Sequence, residues 1–169
     1  CLSKSIPVLC EKAMVLTKAQ AEAVFAEAKK RGVFVMEAMW SRFLPQIQKA
    51  REWVKEGRIG KIELANSVVA FRGEYDPKSR LFDPNLAGGA MWDVGVYAYE
   101  VLTYLLGEHP LERKAVVSRA ETGADKAVTM AARFENCLAS IQTGVMTCTA
   151  EGVTLGGTEG YIWIPCANV

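Results

Sequence analysis

Histidine is nearly missing from this 169-residue sequence, with His109 the single example. The five cysteines, Cys1, Cys10, Cys137, Cys148 and Cys166, are scattered, and no CxxC pair occurs among them. Metal centres of the zinc type need clustered thiolates and imidazoles, so no metal is expected. The odd number and irregular spacing do not describe a disulfide framework; reduced, mostly buried thiols in a cytoplasmic protein are the expectation. His109 stands beside Pro110, just past a helix-ending Gly107, and reads as a loop residue and not as a base. Charge of one sign is also lacking. Twenty Lys and Arg against nineteen Asp and Glu leave a net charge of +1, which gives no reason to expect nucleic acid or an anionic membrane as partner. No apolar run approaches the length of a membrane span, and no signal-peptide pattern opens the chain.

What is present is ordinary for a globular protein: half the residues are apolar and 23% are charged. The chain is long enough for one hydrophobic core. Ile6-Pro7-Val8-Leu9-Cys10 reads as a short buried strand that arrives with nothing before it to pair with. A lone short strand is unstable, so the chain is expected to begin partway through a domain. Glu11 and Lys12 follow directly. In an α/β sheet ligands bind beyond the carboxyl ends of strands, so this pair is either ligand-facing or an ordinary surface ion pair.

Thr17 and Gln20 have the spacing of a capping box, and the helix they open ends in Lys29-Lys30-Arg31-Gly32. Its apolar face is Ala21, Val24, Phe25 and Ala28. A second short strand, Val33-Phe34-Val35-Met36-Glu37-Ala38, completes a βαβ unit with parallel pairing. Trp40 and Arg42 lie past the carboxyl end of that strand. They read equally as an aromatic wall with an anion holder, or as a core residue with an ion-pair partner. Pro45 suits the first turn of a helix whose stripe is Ile47, Ala50, Trp53 and Val54, stopping at Gly57.

Residues 61–72 alternate in polarity, which predicts a long antiparallel-type strand with Ile62, Leu64, Val68 and Ala70 on one face. Residues 73–87 form a loop long enough to act as a flap. A helix is then predicted to about Leu106, with Met91, Val94, Ala98, Val101, Leu102 and Leu105 as its buried stripe. Asp93 and Tyr97 are four residues apart near its start and share a face. Behind Gly88-Gly89, which permit close approach, they read either as a proton-transfer pair or as a dipole-complementing aspartate beside a half-buried tyrosine. Five strand candidates follow, at 115–119, 127–134, 138–146, 153–155 and 161–164, with short turns that predict an antiparallel meander. Helices remain to cover one face only, so the other face is expected to meet a second subunit.

The segments VLCEKAMVLTKAQAEAVFAEAKKRGVFVMEAMWSRFLP, GRIGKI and YDPKSRLFDPNLAGGAMWDVGVY together resemble the glucose–fructose oxidoreductase and inositol dehydrogenase (Gfo/Idh/MocA-type) family of NAD(P)-dependent oxidoreductases. Within it they are most like the dimeric dihydrodiol dehydrogenase branch. The resemblance implies an α/β (α+β) architecture. Residues 1–38 would be the C-terminal remnant of a dinucleotide-binding Rossmann domain, a βαβ unit. Residues 39–169 would be a substrate and dimerisation domain built on an open, mainly antiparallel sheet with helices on one face. No GxGxxG occurs near the start, so the turn that cradles a pyrophosphate lies outside this sequence.

Carried over residue by residue, Glu11-Lys12 resembles the family's Glu-Lys-Pro motif, whose lysine lies near the nicotinamide and the substrate hydroxyl. Ala13 stands where that motif has a proline, often linked to a cis bond; before alanine such a bond costs about 2.5–4 kcal/mol. Asp93 and Tyr97 match the acidic and general acid/base positions, and Trp40 and Arg42 match residues lining the entrance. The implied cofactor is NAD or NADP and the implied substrate a secondary alcohol of a cyclic diol or a sugar-like molecule. The implied assembly is a homodimer. Tyrosine, with an ordinary pKa near 10, is a poor base at neutral pH, and an ammonium such as that of Lys12 favours its phenolate. The competing expectation is a non-catalytic oligomerisation or binding domain, inactive alone because the phosphate-binding turn is missing.

Overall fold

The structure is a computed structural model in which residues 1–165 are described, so Cys166 lies outside the described residues. Chain contacts divide it into two units, residues 1–39 and 40–169. In the first, β1 (Val8–Cys10), α1 (Lys18–Arg31) and β2 (Val35–Glu37) follow one another, and β1 pairs with β2 in parallel. The α1 boundaries follow from local chemistry. Thr17 accepts the Gln20 amide while the Gln20 side chain accepts the Thr17 amide, closing the capping box. Gly32 ends the helix at φ 62°, a left-handed conformation that costs glycine nothing. Leu9, Phe25 and Phe34 remain exposed on this small unit, and the face expected from Ala21, Val24, Phe25 and Ala28 is buried only at Ala28.

The second unit is built on a six-stranded sheet with strands β3 (Ile62–Ala70), β4 (Glu112–Arg119), β5 (Asp125–Arg133), β6 (Leu138–Gly144), β7 (Gly152–Gly157) and β8 (Tyr161–Pro165). Their order is β4-β5-β6-β3-β7-β8. The meander expected from the sequence is therefore interrupted. β3 lies between β6, to which it is parallel, and β7, to which it is antiparallel, so the sheet is mixed although mainly antiparallel. Helices α2 (Pro45–Lys55) and α3 (Val96–Leu106) pack together, with α3 over β3, β6 and β7.

α3 covers the face of β3 that carries Ala65, Ser67 and Val69, all buried; of the face expected to be apolar, Val68 and Ala70 are buried as well, whereas Leu64 is 64% exposed. The small side chains at 65 and 67 let a helix backbone come close, while a leucine there would hold it off. Following the register across, Leu64 stands opposite Leu138 and Gly156, and Gly156 opposite Tyr161; Asn66 stands opposite Thr154, and Thr154 opposite Trp163. Among the described residues this second face exposes Leu64, Leu138, Tyr161 and Trp163. No helix among the described residues is long and apolar enough to cross a membrane.

The segment 73–87 is pinned rather than free. Two 3-10 turns, Arg80–Phe82 and Pro84–Leu86, fold it back. Phe82 is fully buried with Ala90 and Val145, and the Tyr75 ring meets it edge-on at 4.9 Å between centroids. Of the cysteines, Cys137 alone is buried among the described residues, while Cys1 and Cys148 are exposed and Cys10 is intermediate. All four are free thiols. Burial, with the charge of Glu108 as a smaller cause, pushes the Cys137 thiol above its ordinary range.

Candidate active site

The helix that carries Asp93 and Tyr97 does not begin as the expected α-helix. Met91–Gly95 is a π turn, and α3 proper starts at Val96. Such turns are rare and concentrate at functional sites. Three contacts from elsewhere in the unit surround this one. The Asp125 carboxylate, from the start of β5, accepts the Met91 amide at 2.7 Å, and so covers one of the amides that every helix start leaves unpaired. The Thr143 hydroxyl of β6 donates to the Ala90 carbonyl at 3.3 Å. Gly95 lies so near β6 that a Cβ there would stand 3.1 Å from the Thr143 methyl and 2.8 Å from Met91 Sδ.

Gly88 and Gly89 serve internal packing. A Cβ on Gly88 would meet the carbonyl oxygens of Arg80 and Asp83 at 2.4 and 2.5 Å, and one on Gly89, at φ 114°, would meet Asp125 Oδ1 at 2.2 Å. The glycine pair is what lets the 73–87 segment and the Asp125 cap close on the helix start. Asp125→Ala is expected to destabilise the protein by about 1–2 kcal/mol, the usual cost of a lost helix cap. Urea unfolding checks it, and a loss of a few tenths or less would mean that the cap contributes little.

Asp93 and Tyr97 sit on either side of the π-to-α junction. The Asp93 side chain is 13% exposed, and Arg80 Nη2 donates to its Oδ1 at 2.8 Å. Tyr97 is 8% exposed. The indole N–H of Trp40 donates to the Tyr97 oxygen at 3.0 Å, and the two rings meet edge-on with centroids 5.8 Å apart. Trp40 is thus no core residue: 40% of its surface is open. Arg42 takes the ion-pair alternative, since its Nε donates to Glu100 of α3 and its guanidinium lies over the Tyr104 ring at 5.4 Å. Glu100 also accepts the hydroxyl of the fully buried Ser41 at 3.0 Å.

Glu11 and Lys12 belong to the first unit, directly after β1. The Lys12–Ala13 peptide bond is cis. The Glu37 carboxylate at the end of β2 accepts the Met14 amide at 2.7 Å, tying the turn after Lys12 to the neighbouring strand. No cluster of three metal-ligating side chains occurs among the described residues. His109 is an exposed loop residue.

Sequence reasoning missed three residues that organise this region. Glu100 had a signal, being the one charged residue of an otherwise apolar helix, VYAYEVLTYLL. Arg80 was noticed only as part of a loop. Asp125 had no local signal, because its partner is 34 residues away.

Comparison with known proteins gives this geometry a lineage. Residues 47–163 match the GFO/IDH/MocA C-terminal domain. Trans-1,2-dihydrobenzene-1,2-diol dehydrogenase from Mus musculus is 32% identical over 176 residues, which cover 98% of this chain and 51% of that protein. The Homo sapiens protein of the same name is 30% identical over 170 residues, covering 98% and 50%. The chain therefore spans about half the length of the curated relatives it matches. Among solved structures, aldose-aldose oxidoreductase from Caulobacter crescentus, complexed with glycerol, superimposes with a TM-score of 0.91 at 26% identity, over 99% of this chain and 52% of that one. Levoglucosan dehydrogenase, in complex with NADH and levoglucosan, shares the fold at a TM-score of 0.83 and 23% identity, over 97% and 49%. The chain belongs to the GFO/IDH/MocA family, and residues 47–163 carry that family's C-terminal domain.

Proposed function

We propose that this chain is part of an NAD(P)-dependent oxidoreductase. The reaction is hydride transfer between a nicotinamide cofactor and a secondary alcohol of a cyclic diol or sugar-like substrate. The observation that carries the reading is the Tyr97 phenol at the start of α3, almost buried, with an indole N–H already directed at its oxygen. Tyr97 exchanges the hydroxyl proton, and Asp93, held by Arg80, orients the substrate hydroxyl. Trp40 and Arg42 line the entrance. Glu11 and Lys12 are assigned to the cofactor side, and Lys12 to proton chemistry as well. A nicotinamide held beside Glu11 and Lys12 would supply the hydride chemistry.

Residues of the first unit fit the edge of such a cofactor site. Glu11 and Lys12 follow the carboxyl end of a parallel strand, where α/β sheets bind their ligands. The exposed Leu9, Phe25 and Phe34 suit a βαβ unit that packs into a larger nucleotide-binding domain, residues 1–38 being its last part. The relatives' names support the substrate class: they are diol, aldose and levoglucosan oxidoreductases. A cytoplasmic location accords with the free thiols.

Calorimetric titration of the chain with NAD(H) and NADP(H) tests the cofactor assignment. Saturable heat at millimolar cofactor or below is expected, and the lower dissociation constant selects between the two dinucleotides. Absence of any binding in that range would move this polypeptide to the second reading, a non-catalytic oligomerisation or binding domain, which the lack of a GxGxxG turn favours.

The open sheet face is assigned to a homodimer, because exposed Leu64, Leu138, Tyr161 and Trp163 form one apolar patch on it. Light scattering is expected to give twice the chain mass for the native protein and a single chain mass for Trp163→Glu. A native monomer would remove the assignment.

A further inference from the structure

Glu100 is a carboxylate where the sequence would place an apolar side chain. It lies in α3, three residues past Tyr97, and is 7% exposed. Buried carboxylates are tolerated when charge and hydrogen bonds meet them, and here both are supplied by consecutive residues of one turn. Ser41 donates its hydroxyl to Oε2 and Arg42 donates Nε to Oε1. That turn, Trp40–Phe43, begins with the residue whose indole reaches Tyr97. Ser41 is fully buried, whereas Trp40 keeps 40% of its surface open and meets Tyr97 only edge-on, so packing seats the first more firmly than the second. The indole is placed by the backbone that carries it, and that backbone is tied to α3 through Glu100.

We infer that Glu100 is a positioning residue for Tyr97: by clamping Ser41 and Arg42 it holds the Trp40 N–H on the phenol oxygen. An N–H directed at that oxygen fixes the ring's orientation and favours the oxyanion that forms when the proton leaves. The inference rests on the reading of Tyr97 as the proton-transfer group. Glu100 touches neither substrate nor cofactor in this scheme, and it acts through the turn.

Two readouts separate the clamp from the reaction. The first is the Trp40 indole N–H resonance in nitrogen-15 spectra of the whole chain, assigned among four tryptophans by its loss in Trp40→Phe. It is expected to move in Glu100→Ala to where Tyr97→Phe puts it, and to stay near its native position in Glu100→Gln, which keeps the acceptor oxygen. If Glu100→Ala does not fold, the Ser41→Ala, Arg42→Gln double variant cuts both arms from the surface side and must give the same displacement. A resonance that stays at its native position in folded clamp variants overturns the inference.

The second readout is turnover of the oxidoreductase. Glu100→Ala, which leaves the entrance residues in place, is expected to lower kcat by about ten- to a hundredfold with KM little changed, as misplacement of a catalytic group does. Glu100→Gln restores most of the loss. Should Tyr97→Phe turn over normally, the proton-transfer reading fails, whatever the resonance does. Should Tyr97→Phe be inactive while Glu100→Ala turns over normally, the positioning role fails and the reading of Tyr97 survives.

Discussion

Tyr97→Phe lowers turnover of the oxidoreductase by about 10²- to 10⁴-fold, the range expected for loss of a positioned acid/base, while affinity for the dinucleotide stays as it was. The change removes one oxygen and leaves the ring, so packing of α3 against the sheet is preserved. What is lost is the atom that exchanges the substrate proton and accepts the Trp40 indole N–H. Because Trp40 is partly open to water, its N–H finds a solvent partner, and the stability cost stays near 1 kcal/mol, that of an ordinary hydrogen bond. The kinetic and folding effects are thereby separated: a large fall in kcat accompanies a small shift in the urea midpoint. Steady-state kinetics with calorimetry of cofactor binding check this. Turnover within a few-fold of native would take Tyr97 out of the mechanism.

Phe82→Ala has the largest expected effect on stability, about 3–5 kcal/mol, as for other buried aromatic truncations. Phe82 is fully buried beside Ala90 and Val145, and Tyr75 lies against its ring. The cavity cannot close cheaply. Ala90 is too small to fill it, and Val145 is held by its backbone, whose amide and carbonyl bond to Lys126 and Gly73. For a protein whose total stability is of order 5–15 kcal/mol, this is a large fraction. Phe82 also fixes the 3-10 turn that begins with Arg80, so loss of the ring loosens the residue that holds Asp93. Equilibrium urea unfolding measures the first effect. A destabilisation below about 1 kcal/mol would mean that the cavity refills and that segment 73–87 does not depend on this ring.

The elements whose causes are local were legible in the sequence. The Thr17 and Gln20 pair, Gly32 and Pro45 each act within a few residues of themselves, and α1 and α2 begin or end where those residues dictate. The parallel pairing of β1 and β2 followed from the length of the crossover. The place of β3 did not follow, because it depends on partners near the other end of the chain and on the small residues Ala65 and Ser67, which alternation alone scores as the weaker face. The π turn was hidden for a related reason. Asp125, Thr143 and the close approach of Gly95 all come from strands that follow it in sequence.

In the candidate site, residue types were legible and partners were not. Asp93, Tyr97, Trp40 and Arg42 stood out by spacing and resemblance. That Arg42 answers Glu100, that Arg80 answers Asp93 and that Trp40 answers Tyr97 required the fold. The cysteines show the limit of composition: Cys1 and Cys148 are exposed despite the usual burial of free thiols.

The position of β3 has a consequence in time as well as in space. Both of its neighbours, β6 and β7, are made long after it, and Asn66 meets Ser140 across 74 residues of sequence. Loop closure over such distances is entropically costly and must precede any gain from pairing, so chains with this pattern fold on millisecond to second scales. The hairpins β4–β5 and β7–β8 close early from nearby residues. The strand beneath α3 is therefore the one whose pairing closes the longest loops in the sheet.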